Sequence, residues 1–215
     1  MDKNEGIIRW SPNRDRDEFL SINLNHRIVQ LYAATGHARA GKFDYEQLTK
    51  YNDFPHPNTY DWSSVDRGLV AIGTAHGDVQ LLRVGDDSNK AINLPLKLQR
   101  PCQTVAFNTT NLLAVGLDRV RNDACLQIWD VNQCIASGST NPSAPFDAIK
   151  KLEASVSVTS VRFFEDQPLT LVAGLKNQCV RIHDLRGEQP LAGVITTAAN
   201  LHRPQLSCHQ FQHKM

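Results

Sequence analysis

The sequence predicts an all-β protein built from one repeated unit of short strands. In residues 106–131 an aromatic residue ends a first strand, an apolar run forms a second, and a third closes on Trp129-Asp130. This order recurs, so that the four units lie near residues 7–32, 60–84, 104–131 and 158–185. Their aromatic anchors are spaced by 52, 45 and 56 residues and are Trp10, Trp62, Phe107 and Phe163. A period of this size with four strands per unit indicates a WD40-like β-propeller of about four blades, an incomplete ring.

The strands of each unit follow from its hydrophobic pattern. Second strands are short apolar runs, typical of strands buried on both faces, and are predicted at 19–22, 69–73, 112–115 and 171–174. Third strands alternate apolar and polar residues, and are predicted at 28–32, 79–84, 125–129 and 180–185. Outer strands are predicted at 91–99, 152–156 and 191–197. The third unit ends in an intact Trp-Asp pair and the fourth in the degenerate pair His183-Asp184.

Three segments fall outside this pattern. Residues 33–58 form a long insertion, in which 43–48 would make a short helix that Pro55 and Pro57 follow. The insertion is either an exposed loop or, because it carries four aromatic residues, a docking element for a neighbouring subunit. Residues 132–151 are rich in Ser, Pro, Ala and Asn and predict a mobile loop. We therefore assign the partial propeller to residues 1–197 and an irregular tail to residues 198–215, which show neither alternation nor a turn signature.

Composition narrows the classes of partner and compartment. A net charge of +1 gives no electrostatic reason to expect nucleic acid or an anionic membrane as a partner. No segment approaches the ~18 apolar residues of a membrane span, and the first ten residues lack the apolar run of a signal peptide. Five cysteines, an odd number, show no pairing pattern, which favours a reducing compartment. The sequence thus predicts a cytoplasmic protein that does not insert into a membrane.

The sequence contains no catalytic, cofactor or metal motif. There is no phosphate-binding glycine loop and no Ser/His/Asp arrangement. Cys208, His209 and His213 are too compact for a metal site and lack a fourth ligand. A propeller enzyme would need acidic or His side chains on its inner strands, which we take to be the apolar runs LVAIG, LLAVG and LVAG. We therefore predict that the protein is not an enzyme and has no small-molecule substrate, cofactor or metal.

Converging loops on a rigid propeller usually bind proteins. In the third unit, the connection between the second and third strands is unusually long and charged. Exposed charges of alternating sign are more often solvated than functional. The residues of this connection that we predict to contact a partner are Arg119, Arg121 and Asp123.

The run GLDRVRNDACLQIWDV at 116–131 resembles the third-blade motif of the Mio family, propeller-bearing subunits of the SEA/GATOR coat-like complex. Supporting stretches occur in the same order at 7–20, 68–82 and 173–187. The resemblance is to the N-terminal WD40 propeller region in truncated form, since family members are several times longer. It implies protein partners within the complex and a role in amino-acid signalling to the TOR kinase complex. It also implies a peripheral location at the vacuolar or lysosomal membrane.

Two scaffold functions therefore remain open. One is a subunit of the SEA/GATOR complex in TOR-dependent nutrient signalling. The other is a generic WD40 adaptor, such as a ubiquitin-ligase substrate receptor or a chromatin scaffold. In either case four blades in an open array leave a strand edge and a blade flank exposed at each end. We expect this chain to be marginally stable alone, and to dimerise, aggregate or complete its ring with a partner.

Overall fold

The computed structural model describes most of the chain between residues 6 and 196. It leaves out residues 14, 24, 36–43, 53, 86–90, 122, 141–146, 154 and 188–190, and the side chains of 137–140 and 191–196. The predicted tail at 198–215, including Cys208, His209 and His213, lies outside the described residues. The domain boundary at residue 197 therefore stays a prediction.

The described residues form 16 strands in four antiparallel sheets, together with one helix, and within each sheet neighbouring strands follow chain order. Blade 1 consists of β1 (Gly6–Trp10), β2 (Glu18–Asn23), β3 (Ile28–Ala34) and β4 (Tyr45–Tyr51). Blade 2 consists of β5 (Pro57–Trp62), β6 (Leu69–Thr74), β7 (Val79–Arg83) and β8 (Ala91–Asn93). Blade 3 consists of β9 (Cys102–Phe107), β10 (Leu112–Leu117), β11 (Leu126–Asp130) and β12 (Lys150–Leu152). Blade 4 consists of β13 (Val158–Phe163), β14 (Thr170–Leu175), β15 (Cys179–Asp184) and β16 (Leu191–Thr196).

The predicted all-β fold is confirmed, and so is its repeat. Each aromatic anchor is the last residue of the first strand of its blade, where the chain turns into the second strand. The predicted apolar runs coincide with the second strands, and β6 and β10 are buried along almost their whole length. The apolar runs were recognisable because a central strand with a neighbouring sheet on each face can hold apolar residues at every position.

Two predicted connections were wrong. The segment 43–48 is not helical, because β4 begins at Tyr45 and pairs with β3. Tyr45, Thr49 and Tyr51 are residue types that favour strands. The segment 132–151 is not a simple loop, because α1 occupies Val131–Thr140.

An N-cap explains why this helix begins where it does. The Asp130 carboxylate accepts hydrogen bonds from the backbone N–H groups of Asn132 at 2.9 Å and Gln133 at 3.3 Å. The next outer strand starts earlier than predicted, at Lys150, and β8 ends at Asn93 rather than at residue 99.

Neighbouring blades share apolar cores. Residues of blades 1 and 2 form one cluster around Leu20, Val29 and Tyr60. Blades 2 and 3 share a second cluster, and blades 3 and 4 share a third. The blades are therefore stacked in chain order, and each interface contains side chains from the facing sides of two sheets.

A half-buried carboxylate links the first strands of three blades. Asp61 on β5 accepts a hydrogen bond from the Arg9 guanidinium on β1 at 2.7 Å. Its other oxygen accepts one from the backbone N–H of Phe107 on β9 at 2.8 Å. The guanidinium of Arg162 on β13 lies 4.0 Å away. This contact places the first strands of all four blades around one point, on the axis side of the sheets.

We expect Asp61→Ala to lower the free energy of unfolding by roughly 1–3 kcal/mol, because the Phe107 N–H, which is shielded from solvent, loses its half-buried acceptor. Asp61→Asn keeps an acceptor for that N–H and should lose less. Urea denaturation followed by circular dichroism measures both. Asp166→Ala, which removes an exposed carboxylate between β13 and β14, is the control. An equal midpoint for Asp61→Ala and Asp166→Ala would show that the Asp61 contact does not hold the blades.

His183 takes the place in blade 4 that Trp129 takes in blade 3. Each pairs with the equivalent residue of the second strand, Leu171 or Leu113. His183 is buried, and neither ring nitrogen has a hydrogen-bond partner among the described residues. Burial lowers the pKa of His183, which keeps the ring neutral in the folded protein.

We therefore expect acid to destabilise the protein through His183. Below about pH 6.5 the His183 imidazole binds a proton in the unfolded chain but stays neutral in the folded chain. The free energy of unfolding therefore falls by up to about 1.4 kcal/mol per pH unit. His183→Phe should remove this part of the loss between pH 7.5 and 5.5, as measured by urea denaturation at both values. His26→Gln alters an exposed histidine and should leave the loss unchanged. An undiminished loss in His183→Phe would contradict the assignment.

Candidate protein-interaction loop

The predicted contact residues lie in the connection between β10 and β11, residues 118–125, which we call the third-blade connection. It lies at the end of blade 3 away from the aromatic anchor Phe107, because β9 begins at that end. The β2–β3, β6–β7 and β14–β15 turns lie at the same end of their own blades. A partner that binds this end of the stack would meet loops from several blades.

The side chain of Arg100 supports the third-blade connection from the interior of the protein. Its guanidinium is buried and donates to the Asp123 carboxylate at 2.7 Å. It also donates to the backbone carbonyls of Asp118 at 3.1 Å and Ala124 at 2.5 Å. Arginine suits this position because its planar fork serves several acceptors at once. One side chain thus fixes both ends of the connection.

Two further contacts join the connection to β9 and to the residue that precedes β13. The Gln103 amide donates to the Asp118 carboxylate at 3.1 Å, and the backbone N–H of Arg119 donates to the Ser157 hydroxyl at 2.9 Å. Below Arg100 lies the β6–β7 turn, where Gly77 has a φ of +104°. A Cβ on Gly77 would come within 2.2 Å of the Arg100 backbone nitrogen, so a glycine is required there by both conformation and space.

The structure separates the three predicted contact residues into two kinds. Arg119 and Arg121 are exposed, and Arg121 has a positive φ of 34° in the turn. Asp123 points inward to Arg100 and is mostly covered. The connection therefore offers two cations at its surface, while Asp123 shapes the loop from below. Sequence reasoning missed Arg100, which lies 23 residues before its carboxylate partner and has no local signal.

Cys125 ends the third-blade connection and is buried. Burial raises the pKa of its thiol although the nearby Arg100 acts in the opposite direction. Burial also raises the pKa of Cys102 and of Cys134 to about 12. These thiols stay protonated at neutral pH and pack as small apolar groups. The four cysteines that the structure describes are free.

The expectation that the strands nearest the axis are apolar was wrong. The runs LVAIG, LLAVG and LVAG are second strands, and the strands nearest the axis carry Arg9, Asp61 and Arg162. Burial raises the pKa of Asp61, against the opposing effects of the Phe107 N–H and the two guanidinium groups. The signal available in the sequence was the residue before each aromatic anchor. That residue is charged in three of the four units.

These three charged groups lie against one another, since both guanidinium groups are within 4.0 Å of the Asp61 carboxylate. Asp61 receives hydrogen bonds at both carboxylate oxygens. In the part of the chain that the structure describes, no three His, Cys, Asp or Glu side chains gather as metal ligands. No helix among the described residues is long and apolar enough to span a bilayer.

Four sequential antiparallel meanders stacked around a common axis define an incomplete WD40-type β-propeller. Comparison with solved structures supports this class. Raptor from Chaetomium thermophilum superimposes with a TM-score of 0.63 at 14% identity, over 86% of this chain and 16% of that chain. At this identity the likeness shows the fold alone.

Comparison with curated proteins gives a narrower resemblance. The GATOR2 complex protein Mio of Drosophila melanogaster is 24% identical over 195 residues, which cover 86% of this chain and 21% of the relative. A WD repeat-containing protein of Schizosaccharomyces pombe is 27% identical over 129 residues, which cover 60% of this chain and 13% of the relative. No protein-family model matches the chain. The predicted resemblance to the Mio family is confirmed, and the chain spans about a fifth of the length of its Drosophila relative.

We expect Arg100→Lys to loosen the third-blade connection, because an ammonium group cannot serve the Asp123 carboxylate and two carbonyls in the same geometry. Limited trypsin digestion should cleave faster after Arg119 and Arg121, and the free energy of unfolding should fall by about 2 kcal/mol. Mass spectrometry of the fragments identifies the cleavage sites.

Arg83→Lys is the matched control, because Arg83 also holds a carboxylate at two points, Asp66, but in an exposed pair. Exposed ion pairs contribute about 0–1 kcal/mol to stability. The Arg83–Asp66 pair also makes no contact with the third-blade connection, so cleavage at Arg119 and Arg121 should not change. Equal digestion of the two variants would mean that Arg100 does not order the connection.

Proposed function

We propose that the protein is a non-catalytic WD40 scaffold and a subunit of a SEA/GATOR-type complex that regulates TOR-dependent nutrient signalling. The observation that supports this most is the match to a GATOR2 complex protein over 86% of the chain. A match over 86% of the chain is much longer than a single WD motif. The partners would be other protein subunits, and the location would be the cytoplasm and the surface of the vacuolar or lysosomal membrane.

The structural feature that supports a scaffold function is the set of hydrogen bonds that fixes the third-blade connection to the blades. A loop held by Arg100, Gln103 and Ser157 presents Arg119 and Arg121 with little further ordering on binding. Loops that are ordered before binding lose less entropy when a partner docks. Exposed arginines commonly recognise carboxylates, so we propose an acidic surface on the partner subunit.

The test is to tag the native protein, isolate it under mild conditions and identify its companions and size by mass spectrometry. We expect subunits of a GATOR2-type complex. Unrelated companions, such as ubiquitin-ligase or chromatin proteins, would instead support the second candidate, a generic WD40 adaptor. That candidate is supported by the WD repeat-containing relative.

We expect Arg119→Ser with Arg121→Ser to weaken capture of these companions several-fold without changing the urea midpoint, since neither exposed side chain is buried on folding. The matched control is Arg16→Ser with Arg67→Ser, which removes the same charge from exposed residues at the opposite end of the blades. If both double variants capture companions equally well, the third-blade connection is not the contact, although complex membership would stand on the companions themselves.

A further inference from the structure

The third-blade connection lies beside the β14–β15 turn of blade 4, residues 176–178, and one serine joins the two loops. The backbone N–H of Arg119 donates to the Ser157 hydroxyl at 2.9 Å. The backbone N–H of Lys176 donates to the Ser157 carbonyl at 3.0 Å. Ser157 is buried, so both loops are tied to one fixed point between blades 3 and 4. The side chains of Arg119 and Lys176 therefore start from neighbouring positions on two different blades.

Three exposed cations on these two loops form what we call the cationic surface, and they are Arg119, Arg121 and Lys176. Among the described residues, no acidic side chain forms an ion pair with any of the three. Nearby carboxylates are instead held by other donors of the protein, and these pairs are Asp118 with Gln103, Asp123 with Arg100, and Glu153 with Arg181. Positive charge is therefore left over at this end of blades 3 and 4.

The opposite end of the same two blades has a different charge. The β9–β10 connection, residues 108–111, has no charged side chain, and the β13–β14 connection exposes Glu165 and Asp166. The net charge of +1 therefore does not reveal that positive and negative groups occupy opposite ends of these blades. Toward blade 2 the cationic surface ends at Asp78, which is half-buried in the β6–β7 turn. Such a separation of charge directs an anionic partner to one end of the blades before contact.

The arrangement of the cations fits a row of carboxylates better than a single phosphate. A phosphate site commonly combines cations with free backbone N–H groups of a loop or a helix N-terminus. Here the N–H groups of Arg119 and Lys176 already donate to Ser157. The N–H of Asp123 donates to the Val120 carbonyl at 3.1 Å. The cations also come from two blades, so several separate anionic groups can each meet one of them.

Nucleic acid fits this surface less well than an acidic protein segment does. Single-stranded nucleic acid is usually held by aromatic side chains on which its bases stack, in addition to cations. Neither the third-blade connection nor the β14–β15 turn contains Phe, Tyr or Trp. The two loops thus offer charge without a stacking platform.

We propose that the cationic surface binds an extended acidic segment of a partner protein, whose Asp or Glu side chains meet blade 3 and blade 4 together. The inference rests on the proposed scaffold function and adds the kind of segment that the scaffold recognises. In an extended segment, alternate side chains lie on one side and are about 7 Å apart, so successive carboxylates reach cations on both loops. Attraction between exposed charges acts mainly on the rate of association and weakens as salt is added.

The test measures binding of a fluorescein-labelled peptide to the purified chain by fluorescence anisotropy at low ionic strength. The peptide alternates Glu and Ser and has about twelve residues, which at about 3.3 Å per residue is long enough to cross two loops. We expect the wild-type chain to bind it and added salt to release it. Lys176→Ser should weaken binding several-fold without changing the urea midpoint, because the side chain is exposed. Lys50→Ser removes the same charge from an exposed residue of β4 and should bind as the wild type does.

Three results would overturn the proposal. The first is a wild-type chain that does not bind the peptide, or a Lys176→Ser variant that binds it as well as Lys50→Ser does. The second is tighter binding of a Ser-rich peptide with one phosphoserine and no Glu, which would indicate a phosphate site. The third is tighter binding of an oligothymidylate of matched charge, which would indicate nucleic acid.

The peptide measurement and the analysis of companions can fail separately. If the native protein captures GATOR2-type companions but the purified chain does not bind the peptide, the scaffold function stands and the acidic segment is wrong. If the peptide binds and the companions are unrelated to GATOR2, the acidic segment stands and membership of the complex is wrong.

Discussion

The Asp61 carboxylate is the contact on which the arrangement of the blades depends. A sheet can slide or tilt against its neighbour when only apolar surfaces meet, because the hydrophobic effect has no direction. Asp61 adds direction, since it accepts from Arg9 on one side and from the Phe107 amide on the other. Burial of the carboxylate is costly unless these donors are in place. The first strands of three blades are therefore held in one register around the axis.

Away from the axis, the blades differ in how completely their faces are covered. Strands β6 and β10 lie between neighbouring sheets and are buried on both faces. The described residues cover one face of blade 1, and β2 accordingly alternates between buried and half-buried residues over Leu20–Asn23. The same structural unit thus changes its burial pattern with its place in the stack. Strand β14 shows the effect of the neighbouring blades most clearly, because its sequence is as apolar as that of β10 and yet Val172 and Gly174 are only half-buried.

The repeat could be predicted from the sequence because it depends on patterns within one unit. The aromatic anchors and apolar runs occur at short separations, and the structure puts Trp62 and Phe107 where the pattern requires. Contacts that join distant parts of the chain left no such trace. Arg100 meets Asp123 from 23 residues away, and the Asp130 cap on α1 looks in sequence like the end of a WD motif. Strand β4 was mistaken for a helix because its pairing with β3 decides its conformation.

The contrast between repeated core positions and loop contacts particular to this chain also explains why the loops, rather than the blades, would determine which partner binds. Core positions repeat from blade to blade, so they distinguish one WD40 propeller from another only weakly. The third-blade connection has no counterpart in the short turns of blades 2 and 4, and its supports are side chains particular to this chain. The buried Arg100 guanidinium forms hydrogen bonds with the Asp123 carboxylate and two backbone carbonyls. Because the charge of Arg100 is matched inside the protein, Arg119 and Arg121 contribute the positive charge exposed on the third-blade connection.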